Sequence, residues 1–370
     1  MTFSKVLDLS ELPENSHRPV DFKGKRIALF HYRGKITALG NACLHRGGSL
    51  GDGFIQEIEG EPYIACPWHG WQYNIVTGKA PAGFKDCQST YEVKVENGEI
   101  LVSEKPATPA FRAEHDHDPV EDLRHLRYQT TPASLNVLGI STTNLNPELP
   151  RPSTSEYALE QALQIAKTEH GANTKMLKLR DLKFRHCEGY YSRHEQACTW
   201  PCSITDMDAS DGMTQVYRDL VLWADVVFLA TPIRWGNASS LYYKMVERLN
   251  TVQNQITLHD KVLIKNKVAS FIVTGGQDNI QSVVGQLNTF FTDIGFVFPP
   301  FNFVAWSRGW IQEDMENNVE LFKRSRYIKR SVKELVHNSV QLSRQIKQLD
   351  TSTLRTPKPS IRDSRGGHEE

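Results

Sequence analysis

Two short runs in this chain set sulfur and imidazole donors at spacings that suit a metal. The first, NACLHRGGSLGDG, holds Cys43 and His45 as C-x-H; the second, ACPWHGWQY, holds Cys66 and His69 as C-x-x-H. Thiolate and imidazole are the donors that soft and borderline transition metals prefer. One use of two such pairs is a structural zinc ion closed off tetrahedrally. Zinc patterns, however, keep two cysteines in one short pair and two histidines in another, whereas each half here mixes one of each. The other use is an iron–sulfur cluster that takes both thiolate and imidazole ligands.

Both loops resemble those of the Rieske family, with Arg46 and Gly47 after the first pair and Pro67, Gly70 and Trp71 around the second. The resemblance implies a 2Fe-2S cluster with Cys43 and Cys66 on one iron and His45 and His69 on the other. Family members of high potential clamp the loops with a disulfide. The matching positions here are Gly48 and Trp68, so that clamp is impossible. Their serine donor to a cluster sulfur is matched by Trp71, while Tyr73 stands where a tyrosine donor is expected. Fewer hydrogen bonds to sulfur place the potential in the lower part of the Rieske range of about −150 to +300 mV. The loops therefore resemble the oxygenase and ferredoxin type.

A length of 370 residues suits two domains with cores of their own. Lys and Arg total 43 and Asp and Glu 43, a zero balance that gives no reason to expect a nucleic-acid or anionic-membrane partner. The N-terminal MTFSKVLDLSELPENS lacks a signal peptide's basic and apolar regions, and no apolar run reaches membrane-spanning length. Beyond the two cluster thiols there are Cys87, Cys187, Cys198 and Cys202, and a reducing cytosol is the simplest home.

The elements that must position these loops are short and β-like. Residues 20–102 contain RIALFHY, KITAL, YEVKV and EILV, with turn signals at Arg33-Gly34 and Asn97-Gly98. That suits a small antiparallel Rieske domain, over residues 1–105. Residues 106–133 read as a polar linker with a span on the order of 30 Å. Its His115, His117 and His125 read as solvated. From Leu135 strands and helices alternate: LNVLGIS, a helix in STSEYALEQALQIAKTE, KMLKL, DVVFLAT, a helix in SSLYYKMVERLNTV, VASFIVTGG, a helix in SVVGQLNTFFTDI, and NFVAW. The alternation predicts an α/β domain with a doubly wound parallel sheet over residues 134–349. A terminal helix over 320–349 and a disordered tail over 350–370 complete the expectation.

Open parallel sheets bind ligands beyond the carboxyl ends of their strands. Three segments fall there: Ser141 with Ser153, Thr154 and Ser155 at the next helix start; Thr231, Pro232, Ile233, Arg234, Trp235 and Gly236; and Thr274, Gly275, Gly276 and Gln277. Together they resemble the flavodoxin-like NADPH-dependent FMN reductase family. The resemblance implies FMN, with its phosphate at the serine and threonine loop, the T-P-x-x-W-G segment along the isoalloxazine and the glycine pair at its edge. A helix N-terminus suits a dianionic phosphate, and glycines let backbone approach a flat ring. Read alone, each segment has a plainer alternative, because Ser153 with Glu156 makes a capping box, Trp235 suits a core and Gly275-Gly276 a turn. Arg234 stands where relatives often have an aromatic residue; it would put positive charge near the flavin or meet a neighbouring subunit.

The expected protein is a flavin- and Rieske-dependent oxidoreductase moving electrons between NAD(P)H, FMN and the cluster and on to a partner protein or small acceptor. Flow in the reverse direction is equally compatible. The resembled reductases imply a homo-oligomer. No G-x-G-x-x-G is present, so the nicotinamide is expected to stack on the flavin. Two other classes compete: a carrier or redox sensor without a substrate of its own, and a Rieske oxygenase. The latter needs two histidines and a carboxylate on one iron, for which Asp122-x-x-His125 is the only fragment near the expected spacing. Cys187, Cys198 and Cys202 read as reduced thiols, with Cys198 and Cys202 as one redox pair, or as part of a second cluster completed by His186, His194 or another chain.

Overall fold

The computed structural model describes residues 2–82, 84–112, 120–129, 134–146, 148, 152–275, 279–307 and 312–348; the expected tail over 350–370, and His115 and His117, lie outside the described residues. The chain forms two compact units. One comprises Met1–Asp118 together with Gly189–Cys198, the other Pro119–Glu188 with Thr199–Glu370.

Among its described residues the first unit holds ten strands: β1 (Phe3–Asp8), β2 (Ser16–Phe22), β3 (Lys25–Tyr32), β4 (Lys35–Gly40), β5 (Phe54–Ile58), β6 (Glu61–Ala65), β7 (Gln72–Asn74), β8 (Thr90–Tyr91), β9 (Val93–Glu96) and β10 (Glu99–Ser103). They pair antiparallel in the orders β1-β10-β9, β2-β3-β4-β8 and β5-β6-β7. Arg33-Gly34 and Asn97-Gly98 both have positive φ, at 52° and 70° and at 52° and 79°, the conformation that a two-residue turn between twisted strands requires. Side chains alternate across β3. Ile27 and Leu29 enter a core with Leu12, Val20, Phe22, Ile100 and Val102. Ala28 and Phe30 enter a second core with Leu50, Ile64 and Tyr73, and there the thiols of Cys43 and Cys66 are buried. One strand thus separates a structural core from the core that carries the candidate ligands.

The stretch expected to be a linker begins as sheet edge. Ala107 N donates to Thr90 O at 2.8 Å and Phe111 N to Cys87 O at 2.7 Å. These bonds satisfy backbone groups that an open edge would leave to water.

The second unit has a five-stranded parallel sheet of β11 (Asn136–Ser141), β12 (Asn173–Lys178), β13 (Val226–Pro232), β14 (Val268–Gly275) and β15 (Phe303–Ser307). The order β12-β11-β13-β14-β15 is the flavodoxin-like winding. Its helices are α1 (Glu121–Arg124), α2 (Thr154–His170), α3 (Ser203–Met207), α4 (Met213–Tyr217), α5 (Ser240–Arg248), α6 (Asn250–His259), α7 (Ile280–Asp293), α8 (Gln312–Arg324) and α9 (Arg326–Gln348). Ala158, Leu159, Ala162, Leu163 and Ala166 of α2 share a core with Val137, Phe228, Ile272 and Val304 of the sheet and with Val332, Val336 and Val340 of α9. Small residues allow close approach: a Cβ on Gly139 would lie 2.8 Å from Leu163 Cδ1.

Two expected helices are each broken in two. The first breaks at Leu249, where Tyr217 Oη takes the carbonyl of Arg248 at 2.6 Å. The second breaks at Ser325, whose Oγ accepts from Ile328 N at 3.3 Å and so starts α9. The long connection between β12 and β13 is pinned from within by Arg248. Its guanidinium, fully buried, lies 3.1 Å from Asp211 Oδ1 and donates to Thr205 Oγ1, the carbonyl of Arg185 and Cys202 Sγ.

Removing one partner from a buried pair leaves an uncompensated charge, which costs about 3–5 kcal/mol. Asp211→Ala is accordingly expected to lower unfolding free energy by about that amount, read by urea denaturation with a probe in the second unit. A change within about 0.5 kcal/mol would show that Arg248 is satisfied by its neutral partners alone.

Candidate functional site

The two loops of the first unit are built alike. Cys43 N donates to Gly48 O at 2.8 Å and Gly47 N to Cys43 O at 2.7 Å; Cys66 N donates to Trp71 O at 2.7 Å and Gly70 N to Cys66 O at 2.9 Å. Gly47 and Gly70 sit at φ 82° and 73°, where only glycine is unstrained. Asn41 braces the first loop, its Oδ1 accepting from Gly51 N at 2.9 Å and its Nδ2 donating to Ser49 Oγ at 2.9 Å.

Folding re-sorts the mixed pairs. The thiols of Cys43 and Cys66 hydrogen-bond to each other, and the rings of His45 and His69 meet with centroids 4.7 Å apart. Thiol is grouped with thiol and imidazole with imidazole, which is what an iron pair with unlike ligands needs. Among the described residues no three His, Cys, Asp or Glu side chains converge as a site for one metal ion. The Cys43 hydrogen bond lowers the Cys66 thiol to about 7 against the effect of burial, helped by the N–H groups of Trp68 and His69 and by the charge of Arg193. That same bond, with burial, pushes Cys43 up. Burial and the neighbouring Cys43 push the Tyr73 phenol up, so it keeps its proton. Its Oη accepts from Leu44 N at 3.2 Å and lies 3.9 Å from Cys43 Sγ. The residues fit the cluster, and the fit is tight: a Cβ on Gly48 would stand 2.7 Å from Cys66 Sγ.

Sequence reasoning missed a third segment here. Gly189–Cys198 belongs to this unit although the chain on both sides of it belongs to the other. Ala197 O accepts from His69 Nε2 at 2.8 Å, and the His194 ring stacks on Trp68 with centroids 4.5 Å apart. Nothing in the composition of this segment signals a partner so distant in sequence.

In the second unit, register aligns the strand ends expected to bind a flavin. Ser141 pairs with Ala230, Pro232 with Thr274, and Gly275 with Ser307. Thr231 Oγ1 accepts from Ser239 N at 3.1 Å, and Ile233 N donates to Thr274 O at 2.7 Å. A Cβ on Gly275 would come 2.7 Å from Ile233 Cβ, so that glycine serves packing as well as access. Arg234 and Asn237 exchange backbone hydrogen bonds at 2.7 and 2.9 Å around Trp235 and Gly236, both at positive φ. Trp235 is no core residue: it is 96% exposed, held at the tip of this turn at φ 50°. Gly276 and Gln277 lie outside the described residues.

The expected phosphate end holds a charge cluster that sequence reasoning did not identify. Ser153 caps α2, its Oγ accepting from Glu156 N at 3.3 Å and lying 3.1 Å from Ser155 Oγ; Thr154 is the first residue of the helix. Ser141 Oγ donates to Glu156 at 3.0 Å, as do Lys178 at 2.7 Å and both Nη atoms of Arg180 at 2.7 and 2.9 Å. Burial pushes the Glu156 carboxyl up, but the bonds from Lys178 and Arg180 outweigh it and hold the group below its ordinary range. Ser141 thus acts within this cluster rather than as an open donor.

The alternatives weighed from sequence find structural uses. Asp122 is gripped by Arg218 Nε at 2.7 Å and Nη2 at 3.1 Å. Cys202 accepts from Arg248 Nε at 3.3 Å, and no cysteine is in a disulfide.

An antiparallel β unit with sorted Cys and His pairs, followed by a flavodoxin-like sheet, defines an electron-transfer flavin/Rieske oxidoreductase. The chain carries two family domains in succession, a Rieske [2Fe-2S] domain over residues 2–92 and an NADPH-dependent FMN reductase domain over residues 136–310. Their cofactors are a 2Fe-2S cluster and FMN with NAD(P)H. The 3-phenylpropionate/cinnamic acid dioxygenase ferredoxin subunit of Photorhabdus laumondii is 34% identical over 101 residues, which are 26% of this chain and 90% of the relative. A human Rieske domain-containing protein is 31% identical over 94 residues, 21% of this chain and 60% of that protein. Among solved structures, RosB with bound 8-demethyl-8-formylriboflavin-5'-phosphate aligns at TM-score 0.47 and 18% identity, covering 64% of this chain and 88% of that one. No helix among the described residues is long and apolar enough to cross a membrane.

Two outcomes follow from this geometry. Gly48→Ala should displace Cys66 and reduce the visible cluster absorbance per chain, with bound flavin unchanged; full cluster content would mean that the loop gives way easily. Because the Glu156 carboxyl is lowered in the fold, its contribution is present above the unfolded carboxylate value of about 4.3 and is lost as pH falls through the folded one. Glu156→Gln should therefore flatten the acid limb of a stability-versus-pH curve, and an unchanged limb would assign acid sensitivity elsewhere.

Proposed function

We propose that this chain is a reductase that takes hydride from NAD(P)H and releases the electrons singly to a partner protein or a small acceptor. The observation that carries the reading is the sorting of the four donors, thiol with thiol and imidazole with imidazole, in a chain that also carries an FMN reductase domain. When bound, FMN supplies a centre that exchanges electrons in pairs or singly, and the cluster one that exchanges them singly. One NAD(P)H and two oxidised one-electron acceptors give NAD(P)+, a proton and two reduced acceptors.

The roles of the residues follow from their settings. Cys43 and Cys66 would hold one iron and His45 and His69 the other. The protonated Tyr73 would hold its phenol beside the Cys43 sulfur. At the sheet edge, Ser153, Thr154 and Ser155 with the first-turn N–H groups of α2 would bind the phosphate. Thr231, Pro232, Ile233, Arg234, Trp235 and Gly236 would line the ring, with Thr274 and Gly275 at its edge. Trp235, exposed at a turn tip, also suits contact with a second copy of the chain, in keeping with a homo-oligomer. The relative from Photorhabdus laumondii is by name the ferredoxin subunit of a dioxygenase, which supports a larger redox enzyme as the acceptor class. Six cysteines without a disulfide support a reducing compartment.

Anaerobic stopped-flow mixing with NADH or NADPH, following flavin and cluster absorption separately, tests the reading. Flavin bleaching should come first and cluster bleaching follow at a matching rate, with two acceptors reduced per nicotinamide. His69→Ala should abolish the cluster signal and leave FMN bound. A flavin that nicotinamide does not bleach rapidly would favour a carrier or sensor and end the reductase reading.

A further inference from the structure

We propose that Gly189–Cys198 is a built-in clamp that positions His69 and sets the potential of the cluster; this rests on the reading of His69 as an iron ligand. The segment contacts three consecutive residues of the Cys66 loop, Pro67, Trp68 and His69. Arg193 Nη1 donates to Pro67 O at 2.9 Å. The His194 ring stacks on Trp68 at 4.5 Å and an interplanar angle of 18°. Ala197 O accepts from His69 Nε2 at 2.8 Å, and the Tyr190 ring meets the His69 ring edge-on at 4.9 Å and 87°. His194 also shapes the turn that delivers the carbonyl, since its Nδ1 accepts from Gln196 N at 3.1 Å.

A carbonyl can only accept, so this bond places the His69 proton on Nε2 and leaves Nδ1 for iron. A ligand imidazole that donates to a carbonyl is oriented and made a stronger electron donor. Stronger donation favours the oxidised cluster. Arg193 acts in the opposite sense. The charges of two ferric irons, two sulfides and two thiolates cancel, so adding one electron leaves a single negative charge that a nearby guanidinium favours. The segment therefore carries two opposed settings, a carbonyl that lowers the potential and a cation that raises it.

The test uses the full chain with both cofactors bound. Midpoint potentials come from a redox titration followed by EPR, and solvent exchange of the His69 Nε2 proton from pulsed EPR after transfer to deuterated buffer. Arg193→Gln should lower the potential. His194→Ala, which removes the stack and the turn's acceptor, should raise it and speed exchange by about tenfold. His194→Phe, which keeps the stack, should exchange more slowly than His194→Ala. Simple loosening of the loop would move Arg193→Gln and His194→Ala in the same direction. Shifts of one sign, no shift, or loss of the cluster from both Arg193→Gln and His194→Phe would each overturn the clamp. A native protein without a Rieske EPR signal would instead overturn the functional reading beneath it.

Discussion

A cluster shared by four side chains from two loops can assemble only if like donors meet, and in this chain backbone hydrogen bonds arrange the meeting. Each loop turns through the same pair of bonds, from a cysteine N–H outward and back to that cysteine's carbonyl, with a left-handed glycine between. The repeated turn brings two C/H pairs, mixed in sequence, into a thiol pair and an imidazole pair. Burial then adds chemistry, because thiols withdrawn from water and coupled to one another share their protons unequally. The rest of the unit serves this arrangement: β3 gives alternate residues to the core that carries the sulfurs and to the core that braces it.

The second unit follows a different logic. Parallel strands bring their carboxyl ends into register without further help, so Ser141, Pro232 and Thr274 are aligned by the sheet itself. The costly feature is charge. Glu156 and the Arg248–Asp211 pair are withdrawn from solvent, and each is accompanied by several hydrogen bonds rather than by one counter-ion. Such groups are tolerated only when fully partnered. At the tip of the turn after β13, Trp235 is held in a conformation that costs an L-residue roughly 1–2 kcal/mol, with almost its whole surface exposed. Strain and exposure together are a reason to look for a ligand or partner there.

Much of this was legible in the residues. Donor spacing pointed to the cluster, turn dipeptides to the hairpins, and alternation of strand and helix to the parallel sheet. Helix breaks at Leu249 and Ser325 were not legible, because each depends on a side chain that competes for a helix end, Tyr217 in one case and Ser325 itself in the other. The role of Ser141 was hidden for a similar reason: a serine at a strand end offers a donor to anything nearby, and Glu156 reached it from the following helix. The contact between residues 67–69 and residues 190–197 had no local signal at all. Aromatic rings, an arginine and backbone carbonyls make it, and none of these in sequence says which distant partner it will meet.

That contact bears on how the protein is made. Its first unit is continuous in space but not along the chain, for Gly189–Cys198 arrives only after β11, α2 and β12 have been synthesised. Domains emerging from the ribosome tend to fold in order, amino-terminal first. Here the earlier-born body stays unfinished, its imidazole edge without this covering segment, until residue 198 has cleared the exit tunnel. Translation itself thus postpones completion of the iron-bearing body until the first two of the five strands of the flavin-bearing sheet have emerged.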